Sequence, residues 1–150
     1  MSLYAIALFV HVVGAVLVFV LLTVEGVGLR SAMAAARVSR VLGPISALAI
    51  LVPGFYMASQ TGWHAWTAVG LASYAVIAGL GAYTGVAVAR GRMSLRVATL
   101  SWLIRTCIAL AVLFDMTVKP DLVVSTVAVA VGVAVAMGAV VPTVRLVRAA

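Results

Sequence analysis

The sequence predicts an all-α membrane protein, a polytopic bundle of five transmembrane helices with its N-terminus outside and its C-terminus in the cytoplasm. Three observations predict this class. The chain has 150 residues, of which 66% are hydrophobic and 9% charged, whereas a soluble domain needs far more polar surface. Its apolar residues form five runs, each reaching roughly the 20 residues that cross a bilayer. Its basic residues cluster after every second run.

The five predicted spans follow one another through short connections, within a single bundle domain over residues 1–150. They cover about residues 3–29, 41–59, 64–89, 97–118 and 122–144. The second is entered through Gly43-Pro44 and interrupted by Pro53-Gly54, and we predict it to be the shortest. The fifth alternates valine and alanine, but a run of this length without turn residues favours a helix over a strand.

The basic residues predict the orientation. Eight of the ten lie in three clusters, which follow the first, third and fifth runs: Arg30, Arg37 and Arg40, then Arg90, Arg92 and Arg96, then Arg145 and Arg148. Lysine and arginine are retained on the cytoplasmic side, so we expect a multi-pass protein of the cell membrane, of the bacterial inner-membrane type. The chain has a net charge of +7, and in this orientation the basic clusters lie next to anionic lipid headgroups on the cytoplasmic side. No basic element lies outside these short segments, which argues against nucleic-acid binding.

Small residues recur at the spacing that lets membrane helices approach closely. Gly81 and Gly85 form a GxxxG in the third span, and Ala128, Gly132 and Ala136 form a similar stripe in the fifth. We expect both to pack within one bundle. A homo-oligomer through either stripe is the alternative.

Ionisable residues inside a span are costly and are therefore functional candidates. We expect His11, in the first span, and Arg105, in the fourth, to point into the bundle. A structural pair between Glu25 and an arginine is expected, with an anion or proton site as the alternative. Asp115 and Lys119 lie four residues apart near the end of the fourth span, a spacing that predicts a surface ion pair.

Five side chains project to the outer half of the predicted bundle and form a candidate metal site. Imidazole and thioether groups suit copper, particularly Cu(I). No H-x-x-x-M or M-x-x-M spacing is present, so chance co-location is the alternative. A haem between two histidines is disfavoured, because one histidine lies at the boundary and the other deeper. The five residues are His11, Met57, His64, Asp115 and Met116.

Two segments carry a family resemblance. Residues 7–16 read Ala-Leu-Phe-Val-His-Val-Val-Gly-Ala-Val, Leu29-Arg30 follow the first span, and Lys119-Pro120 close the fourth. These segments resemble a loosely related group of small bacterial membrane proteins, which includes copper-resistance D-type domains, HemJ-type protoporphyrinogen oxidases and several uncharacterised integral-membrane families. The resemblance covers about the first four spans.

The resemblance implies roles for His11, Arg30 and Lys119. It does not imply the oxidase activity. The lysine that precedes the histidine in the oxidases has no counterpart in residues 7–10, and their Asn-Glu-x-Pro stretch has none in residues 100–106.

We therefore expect a non-enzymatic accessory or small-solute-handling bundle. No G-x-S-x-G, P-loop or Cys-x-x-Cys motif supports hydrolytic or nucleotide-driven chemistry. The first alternative is the handling of copper or another metal by the five outer residues. The second is a haem- or porphyrin-linked membrane oxidoreductase, with His11 as a ligand or proton acceptor and Arg105 as a propionate partner. Copper and haem are thus the candidate cofactors.

Overall fold

The computed structural model describes the backbone of residues 2–28 and 32–148, and the side chains of residues 2–28 and 38–139. Arg30 and the side chains of Arg37, Arg145 and Arg148 lie outside the described residues. The described backbone forms five α-helices, all long and apolar enough to cross a membrane, which confirms the predicted helical class and the number of spans. They are α1 (Leu3–Gly28), α2 (Ala32–Thr61), α3 (Ala65–Ala89), α4 (Leu95–Val118) and α5 (Leu122–Arg148).

Helix α2 differs most from its predicted span. It was expected to be the shortest and to begin near residue 41, but it is the longest of the five, with 30 residues, and holds Pro44 and Pro53 inside it. Proline removes one backbone donor and bends a helix. Membrane helices tolerate it because nearby hydroxyl groups and local adjustments satisfy the freed carbonyls. Close to Pro44, the Ser46 hydroxyl donates to the carbonyl oxygen of Gly43, 2.9 Å away; the carbonyl that Pro44 itself frees is that of Arg40, four residues earlier.

The chain divides into two compact units, and the first covers Met1–His64. In this unit α1 packs against α2. The helices meet at Gly14, where an added Cβ would lie 2.8 Å from the backbone carbonyl carbon of Ala49. Glycine at this position therefore lets the two backbones touch.

The second unit covers Ala65–Ala150, and α4 packs against both α3 and α5. An added Cβ on Gly132 of α5 would lie 2.9 Å from the carbonyl oxygen of Cys107 on α4, and Ala136 is 0% exposed. Part of the α5 small-residue stripe thus packs within the unit. In α3, Gly81 faces Arg105, whereas nothing lies within 4 Å of an added Cβ on Gly85. The homo-oligomer stays a prediction.

A three-residue turn joins α4 to α5 and sets the level at which their side chains meet. Lys119 adopts the left-handed conformation, with φ of 54°, and its N–H donates to the carbonyl oxygen of Asp115. Pro120 cannot continue the helix. Asp121 then caps α5, because its Oδ1 accepts the Val124 N–H at 2.9 Å. Such a tight turn brings the last turn of α4 beside the first turn of α5.

Candidate functional site

His11 lies half-buried on α1 and contacts α2 close to Pro53. Its Nδ1 is 2.9 Å from the carbonyl oxygen of Ile50. Because a carbonyl can only accept, the hydrogen bond requires a proton on Nδ1, and the neutral ring then keeps its lone pair on Nε2. An added Cβ on Gly54 would lie 3.2 Å from the His11 ring. Glycine next to Pro53 thus makes room for the imidazole.

The other two metal-site candidates of the first unit are His64, just after α2, and Met57, on α2. His64 is exposed in the turn after α2, and its Nδ1 lies 3.0 Å from the carbonyl oxygen of Gly62. Met57 is half-buried, about one helical turn beyond Gly54. The two histidines thus bond to carbonyl groups that are twelve residues apart in the chain.

Asp115 is the most deeply buried ionisable side chain among the described residues. It is 0% exposed on α4, and Ser125, across from it on α5, is also 0% exposed. Ser125 lies within interaction range of the carboxyl group, but the two side chains do not reach hydrogen-bond geometry. Both carboxyl oxygens and the Ser125 hydroxyl are buried without a hydrogen-bond partner.

The predicted surface ion pair between Asp115 and Lys119 is wrong. The Lys119 ammonium group instead lies 5.7 Å from the ring centroid of Trp66 on α3, in a cation–π contact. The i,i+4 spacing joins these residues through the backbone only, since the Lys119 N–H closes the last turn of α4 on the Asp115 carbonyl. The left-handed conformation of Lys119 ends the regular geometry that such a side-chain pair requires.

Arg105 lies on the same helix, ten residues before Asp115, and is 4% exposed. Its Nε donates to the carbonyl oxygen of Ser101 at 3.3 Å. Its Nη1 would lie 2.9 Å from a Cβ added to Gly81. Nearby, the hydroxyl groups of Thr84 and Ser101 lie 2.7 Å apart and bond α3 to α4. Arg105 thus points into the second unit, as expected.

The predicted metal set is divided between the units. His11, Met57 and His64 belong to the first, and Asp115 and Met116 to the second. Among the described residues, no group of three or more His, Cys, Asp or Glu side chains is placed to hold a metal ion. Glu25, for which an arginine partner was expected, accepts a hydrogen bond from the Ser39 hydroxyl at 3.4 Å.

Sequence reasoning missed Ser125, the residue that joins Asp115 in the second unit. A signal was present, because the Lys119–Asp121 turn is short and both residues stand four positions from it. In an antiparallel helix pair, residues equidistant from a tight turn lie at the same level. Sequence reasoning also missed Gly54, the cradle of His11, which was interpreted only as part of a helix interruption.

No family model, curated protein or solved structure matches this chain significantly.

Proposed function

We propose that this chain is a multi-pass protein of the cytoplasmic membrane that handles a small cationic solute without enzymatic chemistry. The observation that carries the proposal is the buried carboxyl group of Asp115, whose oxygens have no hydrogen-bond partner. Ionisable groups inside membrane helices are expensive, and they mark ion and proton pathways in transporters and pumps. A carboxyl and a hydroxyl group are hard oxygen donors, which suit small hard cations.

The orientation in this proposal has the N-terminus outside and the C-terminus in the cytoplasm. It is supported by the basic clusters that follow the first, third and fifth spans. Cysteine labelling tests it in a Cys107→Ser background. Gln60→Cys and Met93→Cys each place one thiol next to a connection, on opposite sides of the membrane in this topology. We expect an impermeant maleimide to label residue 60 in intact cells and residue 93 only after permeabilisation. The reverse pattern would invert the topology.

Ion uptake into vesicles tests solute handling. The purified chain is reconstituted with a dye inside that is sensitive to pH, Na⁺ or K⁺, and the corresponding proton, Na⁺ or K⁺ gradient is applied. We expect an uptake that protein-free vesicles lack and that Asp115→Asn abolishes. Asp121→Asn is the matched control, because Asp121 is exposed and caps α5. Uptake that is equal in wild type and Asp115→Asn, or absent from both, contradicts the proposal.

A metal- or haem-handling role is the second candidate, and one observation favours it. In the neutral ring, the hydrogen bond from Nδ1 of His11 to Ile50 leaves Nε2 as the lone-pair nitrogen, and metal-binding histidines are commonly oriented by such a bond. His11 supplies one ligand in this candidate. Elemental analysis after copper loading and a visible spectrum test it. Metal or a Soret band that is lost in His11→Ala but kept in His64→Ala supports it, and their absence from the wild type refutes it.

A further inference from the structure

We infer that the ligand of the Asp115 site is a proton, so that Asp115 is a carboxylic acid and, with Ser125, forms a proton-binding site inside the second unit. This inference deepens the proposed function and rests on it for its physiological meaning. The starting observation is that three buried polar atoms, Oδ1 and Oδ2 of Asp115 and Oγ of Ser125, have no hydrogen-bond partner.

The helix register places one further hydroxyl near the pair. Gly70 on α3 faces Met116, and Thr84 bonds to Ser101, so α3 and α4 run antiparallel. This register puts Ser73 within about one turn of the level of Asp115, and Ser73 is 7% exposed. All three helices of the unit therefore contribute a small or acidic polar side chain at one level, next to the turn between α4 and α5.

The surroundings favour a neutral acid over an ionised carboxylate. A carboxylate removed from water must be offset by hydrogen bonds or a counter-charge, and otherwise it neutralises. Asp115 has neither within hydrogen-bond distance. Lys119, the cation nearest to Asp115 in sequence, has its ammonium group over the Trp66 ring.

A metal cation such as Na⁺ fits this site less well than a proton. Sodium sites in membrane helices draw on backbone carbonyls freed where a helix unwinds. Here α4 is continuous to Val118, the Asp115 carbonyl accepts the Lys119 N–H, and the Ser125 N–H donates to the Asp121 carbonyl at 3.0 Å. A carboxylic acid, by contrast, needs only one acceptor, and a serine hydroxyl can be that acceptor.

The other titratable and charged groups of the unit leave Asp115 as the site of binding. On α4, Arg105 lies ten residues away, about 15 Å along the helix. At the start of α5, Asp121 is exposed and bonded to the Val124 N–H. On α3, the titratable group nearest in register is the half-buried Tyr74.

The proton exchanges at the end of the unit that carries the Lys119–Asp121 turn. Asp115 is three residues from the end of α4, whereas Ile77 and Ile108, both buried, separate it from the level of Arg105. The step is reversible: hydronium at this end gives its proton to a carboxylate oxygen and leaves water.

Infrared spectroscopy tests the inference with unusual clarity, because the sequence has only three acidic side chains, Glu25, Asp115 and Asp121. The double variant Glu25→Gln/Asp121→Asn keeps Asp115 as the sole one. At neutral pH we expect wild type and this variant to show the C=O band of a protonated carboxylic acid with equal intensity. We expect Asp115→Asn to lose it. Saturating Na⁺ or K⁺ should leave it unchanged.

The Ser125 variants probe the same band without removing the carboxyl group. Ser125→Ala should shift its frequency, because the hydroxyl group next to the acid is removed, and Ser125→Thr should restore it. A band that is absent from the double variant at neutral pH, that persists in Asp115→Asn, or that Na⁺ abolishes would overturn the inference. Vesicles without ion uptake but with an intact band would overturn the proposed function only. Ion uptake by vesicles whose protein lacks the carboxylic-acid C=O band would show that the ligand of Asp115 is not a proton.

Discussion

The imidazole of His11 donates from Nδ1 to the carbonyl oxygen of Ile50, 2.9 Å away, and so bonds α1 to α2 three residues before Pro53. We expect His11→Ala to lower the free energy of unfolding in mixed micelles by about 1 kcal/mol. His11→Asn should recover most of it, since its Nδ2 can replace Nδ1 as the donor. His64→Ala, which changes an exposed side chain, is the control. Equal losses in the Ala and Asn variants would show that the bond contributes little.

The contact between Gly132 and the backbone of Cys107 predicts an asymmetry between two glycines of α5. We expect Gly132→Ala to destabilise the chain by about 1–3 kcal/mol, because the added methyl group must displace a backbone carbonyl. Gly138→Ala, with nothing within 4 Å of its Cβ, should be neutral or stabilising by up to about 1 kcal/mol, the helix propensity gain of alanine. Unfolding in mixed micelles measures both. Similar effects of the two substitutions would mean that α4 and α5 are not in close contact there.

The hydroxyl pair of Thr84 and Ser101 predicts a measurable coupling between α3 and α4. In a double-mutant cycle with Thr84→Val and Ser101→Ala, we expect a coupling energy of about 0.5–1.5 kcal/mol, the range for such bonds in membrane proteins. The same cycle on Thr84 and Thr99, whose hydroxyl bonds within its own helix to Leu95, serves as the control. It should give a coupling near zero, and equal values in the two cycles would argue against the pairing.

Lys119 makes two opposite contributions to stability: its left-handed backbone conformation destabilises the fold, and its side-chain contact with Trp66 stabilises it. Two substitutions can measure them separately. A left-handed residue other than glycine costs about 1 kcal/mol, whereas the cation–π contact with Trp66 contributes about 0.5–1 kcal/mol. We therefore expect Lys119→Gly to be nearly neutral in the wild type and to stabilise a Trp66→Leu variant by about 1 kcal/mol. Thermal unfolding in detergent compares the four proteins. The same change in stability in both backgrounds would show that the cation–π contact does not contribute to stability.

The number and type of helices follow from hydropathy alone, because length and apolar content decide whether a segment can span. The start of α2 does not, because Gly43-Pro44 is interpreted from the sequence as the entry to the span, whereas the helix continues through Pro44. The burial of Asp115 also cannot be predicted from the spacing of residues within α4. It depends on α5, on the conformation of Lys119 and on the turn that follows. A side chain's neighbours across helices are set by turn geometry, which periodicity in a single helix does not contain.

The short Lys119–Asp121 turn has a consequence for membrane insertion. Two spans joined by three residues can enter the bilayer together as a helical hairpin, since loop closure over so short a connection costs little entropy. Asp115 then meets Ser125 while the pair inserts, so α4 need not expose a lone carboxyl group to lipid at any stage. Lengthening this turn with flexible residues should therefore lower the yield of inserted protein, even where the finished helices would pack unchanged.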